Sequence, residues 1–219
     1  MPRRAISDPT EEQPSAAPFL PEQLTLPALK EAAGSCRGCH LYRDATQTVF
    51  GAGKRSARVV LVGEQPGNEE DQKGRPFVGP AGKILDRALE DAGVDRDEAY
   101  VTNVVKHFKF ERRGKLRIHK KPNALEIRAC LPWLAAELEV LKPRVLVCLG
   151  ATAAQALLGR TFSVMAQRGK VIPTPLAEYA VATVHPSSIL RQQTSEEREK
   201  ALHDLIADLR VVAQLLDRP

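Results

Sequence analysis

The sequence predicts an α/β fold, a three-layer α/β/α sandwich around a central, mostly parallel sheet of four strands. Short apolar segments alternate along the chain with longer segments of helical periodicity, as in parallel sheets covered by helices on both faces. The 219 residues, 43% of them hydrophobic, are enough to bury one core. Residues 1–22, rich in Pro, Ser and Glu, are expected to form a disordered tail, and residues 23–219 a single domain.

The first half of the chain contains two predicted strands. A short helix is predicted over residues 26–33, and the wholly apolar strand 58–62 follows. Residues 81–92 have helical periodicity, and the apolar and β-branched residues 99–102 predict the second strand. A long basic loop then separates the two halves of the chain.

The second half repeats the alternation of helix and strand. In order, it contains a helix at 123–141, a strand at 144–149, a helix at 151–158, a short strand at 170–172, a core strand at 179–184 and a helix at 195–216. Pro122 introduces the first of these helices. Ser195 is expected to cap the last one, which has glutamates in its first turns.

The charge distribution is more informative than the net charge of +5. Eight lysines and arginines lie within residues 106–121, and only Glu111 opposes them. A basic run of this kind is most often a solvated loop. Here the run also contains two histidines and two phenylalanines, a combination that favours contact with phosphates: His107, Phe108, Phe110 and His119.

Polar residues directly follow each of the four predicted core strands. They are residues 63–67 (Gly-Glu-Gln-Pro-Gly), Asn103, residues 150–152 (Gly-Ala-Thr) and residues 185–188 (His-Pro-Ser-Ser). In a parallel sheet these segments meet at one edge, where such folds place their working residues. Each segment could also be a simple turn, a cap or a structural histidine. Their joint occurrence predicts a site with a carboxylate, an amide, a histidine and a cationic rim.

The cysteines indicate a metal site rather than disulfides. The polar, Pro-rich N-terminus does not resemble a signal peptide, so we expect a cytoplasmic protein, in which thiols stay reduced. Cys36 and Cys39 have the two-residue spacing of a ligand pair, and Cys130 is a third candidate. Cys148 lies inside an apolar strand, where a buried thiol is the commoner use.

Four segments occur in an order that resembles family 4 uracil-DNA glycosylases. They are residues 63–67 (GEQPG), 74–82 (GRPFVGPAG), 101–106 (VTNVVK) and 185–191 (HPSSILR). More closely, residues 106–110 (KHFKF) and 115–119 (KLRIH) resemble the UdgX-type branch, whose members bond covalently to uracil-containing DNA. The resemblance covers about Cys36 to Arg210. It implies single- or double-stranded uracil-containing DNA as substrate and free uracil as product, with a monomer expected.

The resemblance also implies roles for residues of the pocket and its surroundings. Phe77 would stack on the uracil, Asn103 would pair with its Watson–Crick edge beside Gly63, and His185 would donate to the oxygen on which charge develops. Ile189 or Leu190 would wedge into the vacated base stack. The remaining DNA contacts would come from Lys115, Arg117, Lys120, Ser187 and Arg191.

His119 has the most specific implied role, capture of the anomeric carbon in place of water. Glu64 would orient the imidazole, accept its proton or stabilise the cationic sugar, and Gln65 would shape the pocket. The product would then be a single-turnover covalent adduct. Two alternatives remain: a conventional glycosylase that turns over, and a non-catalytic metal-containing protein that binds nucleic acid. A zinc base deaminase fits poorly, because its His-x-Glu and Pro-Cys-x-x-Cys signature is absent.

Family 4 members have a cysteine where this chain has His107, which makes His107 the fourth candidate ligand. The expected set is therefore Cys36, Cys39, His107 and Cys130. The resemblance implies a structural [4Fe–4S] cluster at these residues. Three thiolates and one imidazole also suit zinc, which is the alternative.

Overall fold

A computed structural model describes residues 13–218 and shows a five-stranded sheet between two layers of helices. The strands are β1 (Val59–Gly63), β2 (Ala99–Asn103), β3 (Phe110–Arg113), β4 (Leu116–His119), β5 (Val145–Leu149), β6 (Val171–Ile172) and β7 (Tyr179–Thr183). The helices are α1 (Leu26–Ala33), α2 (Asn68–Lys73), α3 (Pro80–Ala92), α4 (Ala124–Leu141), α5 (Ala151–Leu158), α6 (Val164–Gln167), α7 (Pro186–Leu190) and α8 (Ser195–Leu216).

The main sheet has the order β2-β1-β5-β7-β6, and its first four strands are parallel. The α/β sandwich is confirmed, but the sheet has five strands rather than four. The additional strand, β6, lies within the short strand expected at 170–172, which the count of four omitted; it pairs antiparallel with β7 at the sheet edge. A segment this short adds little buried surface, so its sequence pattern is correspondingly weak.

Alternate residues of each central strand pack into two separate cores. In β1, Val60 and Val62 face the core beneath α1, α4 and α5, whereas Val59 and Leu61 face the core beneath α3, α7 and α8. Burial on both faces explains why these strands are continuous apolar runs. No helix within residues 13–218 has the length and hydropathy needed to cross a membrane.

The basic segment is a β-hairpin, not the loop that we expected. Strands β3 and β4 pair antiparallel, with Phe110 opposite His119, and the connection is Gly114–Lys115. Gly114 has φ +59°, a backbone conformation that two-residue hairpin turns require and that glycine adopts without strain. The high charge density concealed the strand pattern, because arginine and lysine are poor indicators of strands.

The beginning of α8 and the N-terminal residues also differ from expectation. Thr194, not Ser195, caps α8, and its side chain accepts from the main-chain N–H of Glu197. Residues 1–12 of the expected disordered tail lie outside the described part. Residues 13–22, expected to belong to that tail, include a 3-10 turn at Ala17–Phe19, and the buried Ala16 donates its N–H to the Ala129 carbonyl of α4, at 2.7 Å.

Candidate active site

The parallel strands bring their carboxyl ends to one edge of the sheet, where a small cavity lies. Gly63 at the end of β1 pairs with Asn103 at the end of β2, and Leu149 of β5 pairs with Thr183 of β7. The polar segments that follow these strands therefore converge. The cavity has a volume of about 110 Å³ and is lined by Gln65, Gly67, Glu70, Phe77, Ala81, Asn103, His119, His185 and Ser187.

Gly63 leaves room for three of these side chains to approach one another. A Cβ atom at this position would lie 2.4 Å from Oδ1 of Asn103 and 2.8 Å from Cζ of Phe77. It would also lie 3.4 Å from Nε2 of His185. Any other residue here would displace the Asn103 amide and the Phe77 ring, and would bring its Cβ into contact with the His185 imidazole.

Phe77 is held in an unusual backbone conformation at the cavity wall. Its φ is +54°, which is costly for a residue with a side chain and is found mainly at functional sites. Gly82 permits this conformation, because a Cβ atom there would lie 1.8 Å from the Phe77 carbonyl oxygen. The Phe77 ring stacks on the His185 ring, with centroids 6.1 Å apart.

Glu70, which the sequence did not single out, fixes the two glycine turns beside Phe77. Its carboxylate accepts the N–H of Gly67 at 3.0 Å and that of Gly79 at 2.7 Å. These glycines precede helices α2 and α3, respectively, and therefore set where each helix begins. The signal was the spacing of Gly67 and Glu70, which allows the half of a capping box in which the glutamate accepts the N-cap N–H; glycine has no side chain for the other half.

Asn103 is buried and its main chain is held by a buried ion pair. Nζ of Lys106 donates to the Asn103 carbonyl oxygen at 2.8 Å and lies 2.5 Å from Oε2 of Glu137. Thr102 and Tyr100 also donate to the Glu137 carboxylate, at distances of 2.8–3.1 Å. Lys106 therefore belongs to the core beneath the site and does not contribute to the phosphate-facing charge predicted for residues 106–121.

His185 is partly buried, neutral and oriented by Ser187. Its Nδ1 accepts the main-chain N–H of Ser187 at 3.1 Å and lies 2.8 Å from the Ser187 hydroxyl. Burial above all, together with the charges of Arg191 and His119, lowers the pKa of His185 to about 4. Because Nδ1 accepts, the single proton of the neutral ring sits on Nε2, the atom nearest Gly63. Ser187, assigned to DNA contact from the sequence, contacts His185.

His119 lies at the end of β4, half-exposed at the mouth of the cavity. Its Nε2 is 2.9 Å from Nε2 of Gln65 and 3.5 Å from Oε1 of Glu64. Thr152 donates its hydroxyl proton to the other oxygen of Glu64. Burial lowers the pKa of His119 and Arg191 adds to this effect, while Glu64 and a hydrogen bond with the His119 main chain oppose it.

Gln65 fastens the base of the hairpin that carries His119. Its Nε2 lies 3.1 Å from the Lys109 carbonyl oxygen and 3.0 Å from that of Lys120, and its Oε1 accepts the N–H of Lys109 at 3.0 Å. An amide nitrogen has two hydrogens, so it cannot fully serve both carbonyls and the nearby His119 ring. In the tautomer with its proton on Nδ1, the lone pair on Nε2 of His119 is therefore at most partly engaged.

Arg117 points inward, contrary to the DNA-contacting role expected for it. Its guanidinium lies 2.6 Å from Oδ2 of the buried Asp71 and donates to Oδ1 of Asn68 at 2.7 Å. It also lies over the Phe108 and Phe110 rings, 5.6 and 5.1 Å from their centroids. The two aromatic residues that suggested nucleic-acid contact thus support Arg117 inside the hairpin.

Lys115 and Lys120 are exposed cations of the hairpin, as are Arg112 and Arg113 of β3. Lys115 lies in the turn and forms no ion pair with any residue of the described range, whereas Nζ of Lys120 lies 2.7 Å from Oε2 of Glu111. Of the two wedge candidates, Ile189 is 4% exposed and belongs to the core, but Leu190 is 43% exposed. Leu190, followed by the exposed Arg191, is the one that can reach a base stack.

Three of the cysteines share one region near the start of α4. The pKa of Cys130 is raised to about 12, by burial above all; Lys106 opposes this shift, and the neighbouring thiols of Cys39 and Cys36 contribute to it. The pKa of Cys148 is raised to about 12 by burial alone, so no neighbouring thiol acts on it. Several N–H groups point at these sulfur atoms: that of Lys106 at Cys130 and the indole of Trp133 at Cys36, both at 3.2 Å, and that of Gly38 at Cys36, at 3.5 Å.

His107, the fourth expected ligand, is buried, and its Nε2 lies 2.9 Å from the hydroxyl of Thr48. That hydroxyl donates to the Ala33 carbonyl oxygen at 2.8 Å, so it accepts from Nε2. Nδ1 is then the ring nitrogen with a free lone pair. Across residues 13–218, no three side chains of Cys, His, Asp or Glu are placed closely enough to hold a metal ion.

Comparison with known proteins identifies relatives of the chain. Residues 50–210 match the family model described as the uracil DNA glycosylase superfamily. The type-4 uracil-DNA glycosylase of Thermotoga maritima is 37% identical over 178 residues, which cover 81% of this chain and 89% of the relative. That of Archaeoglobus fulgidus is 38% identical over 75% and 83% of the two chains. The type-5 uracil-DNA glycosylase of Thermus thermophilus is 32% identical over 68% and 72%.

Proposed function

The chain belongs to the uracil DNA glycosylase superfamily, and we propose that it excises uracil from DNA and stays bonded to the remaining sugar through His119. The observation that carries the proposal is the position of His119. Its Nε2 lies 3.5 Å from Glu64 at the mouth of the cavity that Phe77, Asn103 and His185 line. The imidazole thus stands where the sugar of a base inside the cavity would lie.

The cavity has the side chains that uracil requires. Phe77 offers a ring face for stacking, and the Asn103 amide offers a donor and an acceptor to an edge that carries an imide N–H and a carbonyl oxygen. The small volume, about 110 Å³, favours a single-ring base. A base must leave the helical stack to enter the cavity, so single-stranded DNA avoids part of the free-energy cost of unpairing and unstacking. In duplex DNA the exposed Leu190 would hold the stack open.

His185 assists departure of the base as a neutral donor. When the N-glycosidic bond breaks, its electron pair leaves with uracil, and negative charge spreads onto the ring oxygens. The proton on Nε2 of His185 faces the point where Gly63, Phe77 and Asn103 meet. A fixed donor there stabilises the charge as it develops, with no reorganisation of the protein.

His119 then takes the place of water. Its Nε2 lone pair forms a bond to the anomeric carbon of the sugar cation, which makes the imidazole cationic. The proton on Nδ1 becomes acidic. Solvent can carry this proton to the departed uracil anion, whose charge it neutralises. Glu64 favours each positively charged species in turn, first the sugar and then the imidazolium, because its carboxylate lies 3.5 Å from Nε2.

The donor set near α4 suits an iron–sulfur cluster. Three thiols occupy one region, and N–H groups of Lys106 and Trp133 point at two of the sulfurs, as hydrogen bonds to cluster sulfurs do. We propose Cys36, Cys39 and Cys130 with Nδ1 of His107 as ligands of a [4Fe–4S] cluster, with zinc as the alternative. Such a group, when bound, crosslinks the segment around Cys36 to the base of the hairpin.

A conventional glycosylase that turns over is the second candidate, favoured by the names of the relatives, which are type-4 and type-5 uracil-DNA glycosylases. In that case water completes the reaction, and His119 only contacts DNA. The two candidates share the excision step and differ in whether the DNA is released.

The excision step is tested with a single-stranded oligonucleotide that contains one uracil. Release of free uracil is measured for the wild-type protein and for the Asn103→Ala and His185→Ala variants. We expect the wild type to release uracil, and loss of the Asn103 hydrogen bonds to weaken uracil recognition by about 1–3 kcal/mol. Retention of the oligonucleotide without release of uracil by the wild type would leave only a non-catalytic nucleic-acid-binding protein.

A further inference from the structure

A second groove, of about 440 Å³, lies between the beginnings of helices α4 and α5. Its lining includes the apolar side chains of Ile127, Leu131 and Ala156. Three exposed cations also line it: Lys121, Arg128 and Arg160. In the described part of the chain none of these cations pairs with a carboxylate, and no acidic residue lines the groove.

Thr152 joins this groove to the candidate active site. It lines the groove, and its hydroxyl donates to Glu64. The other oxygen of Glu64 is the one that lies 3.5 Å from His119. The groove therefore begins on the side of the cavity where the sugar would lie, away from the Phe77 and Asn103 end that would hold the base.

We propose that this groove binds the nucleotides next to the target uridine on the same DNA strand. The proposal deepens the function proposed above and rests on it. A phosphodiester leaves the captured sugar on each side, so a strand that enters the site must continue along the surface nearby. Unopposed cations suit its phosphates, and an apolar lining suits the faces of its bases or sugars.

A larger groove, of about 530 Å³ between α3 and α8, lacks this combination. It has cationic residues too, but Asp91 and Glu199 lie among them. Arg87 is paired with Asp91 at 3.5 Å. Phosphates would meet mixed charge there, whereas the groove between α4 and α5 is uniformly cationic. The difference in charge favours the α4–α5 groove over the α3–α8 groove as a site for a nucleic-acid strand.

The test combines a protein variant with a shortened strand. Equilibrium affinity is measured for single-stranded oligonucleotides that contain 2′-fluoro-2′-deoxyuridine, whose fluorine destabilises the sugar cation and prevents excision. Three oligonucleotides are compared. In the first the modified nucleotide lies at the centre, and in the other two the flanking nucleotides are removed on one side or on the other side of it. The proteins are the wild type, Arg128→Ala/Arg160→Ala, and Arg210→Ala/Arg218→Ala. The last variant removes equal charge from exposed positions in and just after the C-terminal part of α8.

We expect that shortening on one of the two sides, but not on the other, weakens binding to the wild type, by roughly an order of magnitude at low salt. The groove variant should bind the oligonucleotide with the central modified nucleotide as weakly as the wild type binds the shortened one. The same shortening should not lower the affinity of the groove variant further. Its salt slope should fall by about 1.4, since each lost phosphate contact on a single strand contributes about 0.7. The α8 variant should behave as the wild type does.

Equal losses on shortening in the wild type and the groove variant would overturn the proposal, as would no loss on shortening in the wild type. The proposal would also fail if the α8 variant bound the oligonucleotide with the central modified nucleotide as weakly as the groove variant does. Uracil release at saturating concentrations of an unmodified oligonucleotide separates this result from the proposed function. If the wild type releases no uracil but the one-sided effect disappears in the groove variant, the groove is a strand-binding site and the enzymatic proposal fails.

Discussion

Nη1 of Arg117 lies 2.6 Å from Oδ2 of Asp71, and this ion pair joins strand β4 to helix α2 two residues before His119. Asp71 is fully buried, and Arg117 is nearly so. Asp71 also accepts the main-chain N–H of Thr46 at 3.0 Å. The hairpin is therefore anchored from within, and the position of His119 depends on a residue that faces away from the DNA.

The anchor predicts that Arg117→Ala impairs capture more than it impairs DNA binding. Loss of the guanidinium leaves Asp71 buried without its cation and frees the hairpin, so we expect covalent adduct formation to slow at least tenfold, the equivalent of about 1.4 kcal/mol. The salt dependence of oligonucleotide binding should not change. Lys115→Ala is the matched control, because that exposed lysine should affect the salt slope and leave the capture rate at saturation unaltered. A reversed pattern would show that Arg117 meets phosphates.

The buried pair of Lys106 and Glu137 predicts a strongly non-additive effect on stability. Lys106→Met should destabilise the protein by about 3–5 kcal/mol, because Glu137 then remains charged and buried without its cation. The double variant Lys106→Met/Glu137→Leu should be more stable than Lys106→Met alone. Unfolding in denaturant measures both free energies. Additive losses would mean that the two side chains do not interact.

His185 predicts a loss of stability on acidification. Its pKa is about 4 in the folded protein, below its ordinary value of 6.5, so the unfolded chain binds a proton between these values and the folded chain does not. The free energy of unfolding should therefore fall as the pH falls from about 6.5 to about 4, by up to roughly 3 kcal/mol. Thermal unfolding of the wild type and of His185→Gln at a series of pH values measures this effect. An unchanged pH dependence in the variant would assign the loss to other groups.

The cysteines predict opposite outcomes for two substitutions. Cys130→Ala should abolish the broad visible absorption of an iron–sulfur cluster and lower the iron content, since its thiol lies among those of Cys36 and Cys39. Cys148→Ala should retain both, because no other thiol acts on Cys148. A colourless wild-type protein with stoichiometric zinc would favour the alternative metal, and loss of absorption in Cys148→Ala would refute the ligand set.

The sheet and the position of the site followed from local patterns in the sequence. Strand β1 is buried on both faces, so its apolar run was unambiguous, and the polar residues after it could occupy only one edge. The direction of long cationic side chains could not be predicted in this way. Arg117 and Lys120 are both cations of the same hairpin, yet only the tertiary contact with Asp71 turns Arg117 inward.

The roles of residues that act through other residues could not be predicted from the sequence either. Glu137 lies in the C-terminal part of α4 and resembles any helical glutamate until Lys106, Thr102 and Tyr100 are seen to converge on it. Ile189 and Leu190 are equivalent apolar residues in sequence, and only the packing of α7 shows that Ile189 is part of the core. Each of these cases depends on contacts between segments distant along the chain.

Covalent capture by His119 is tested most directly on a denaturing gel. A single-stranded oligonucleotide with one uracil is incubated with the wild-type protein, with His119→Ala, and with Lys115→Ala as a control from the same hairpin. We predict a protein–DNA band that survives boiling in detergent for the wild type and the control and is absent for His119→Ala, with release of uracil in every lane that shows the band. Free abasic DNA without that band in the wild-type lane, or an undiminished band with His119→Ala, would contradict capture through His119.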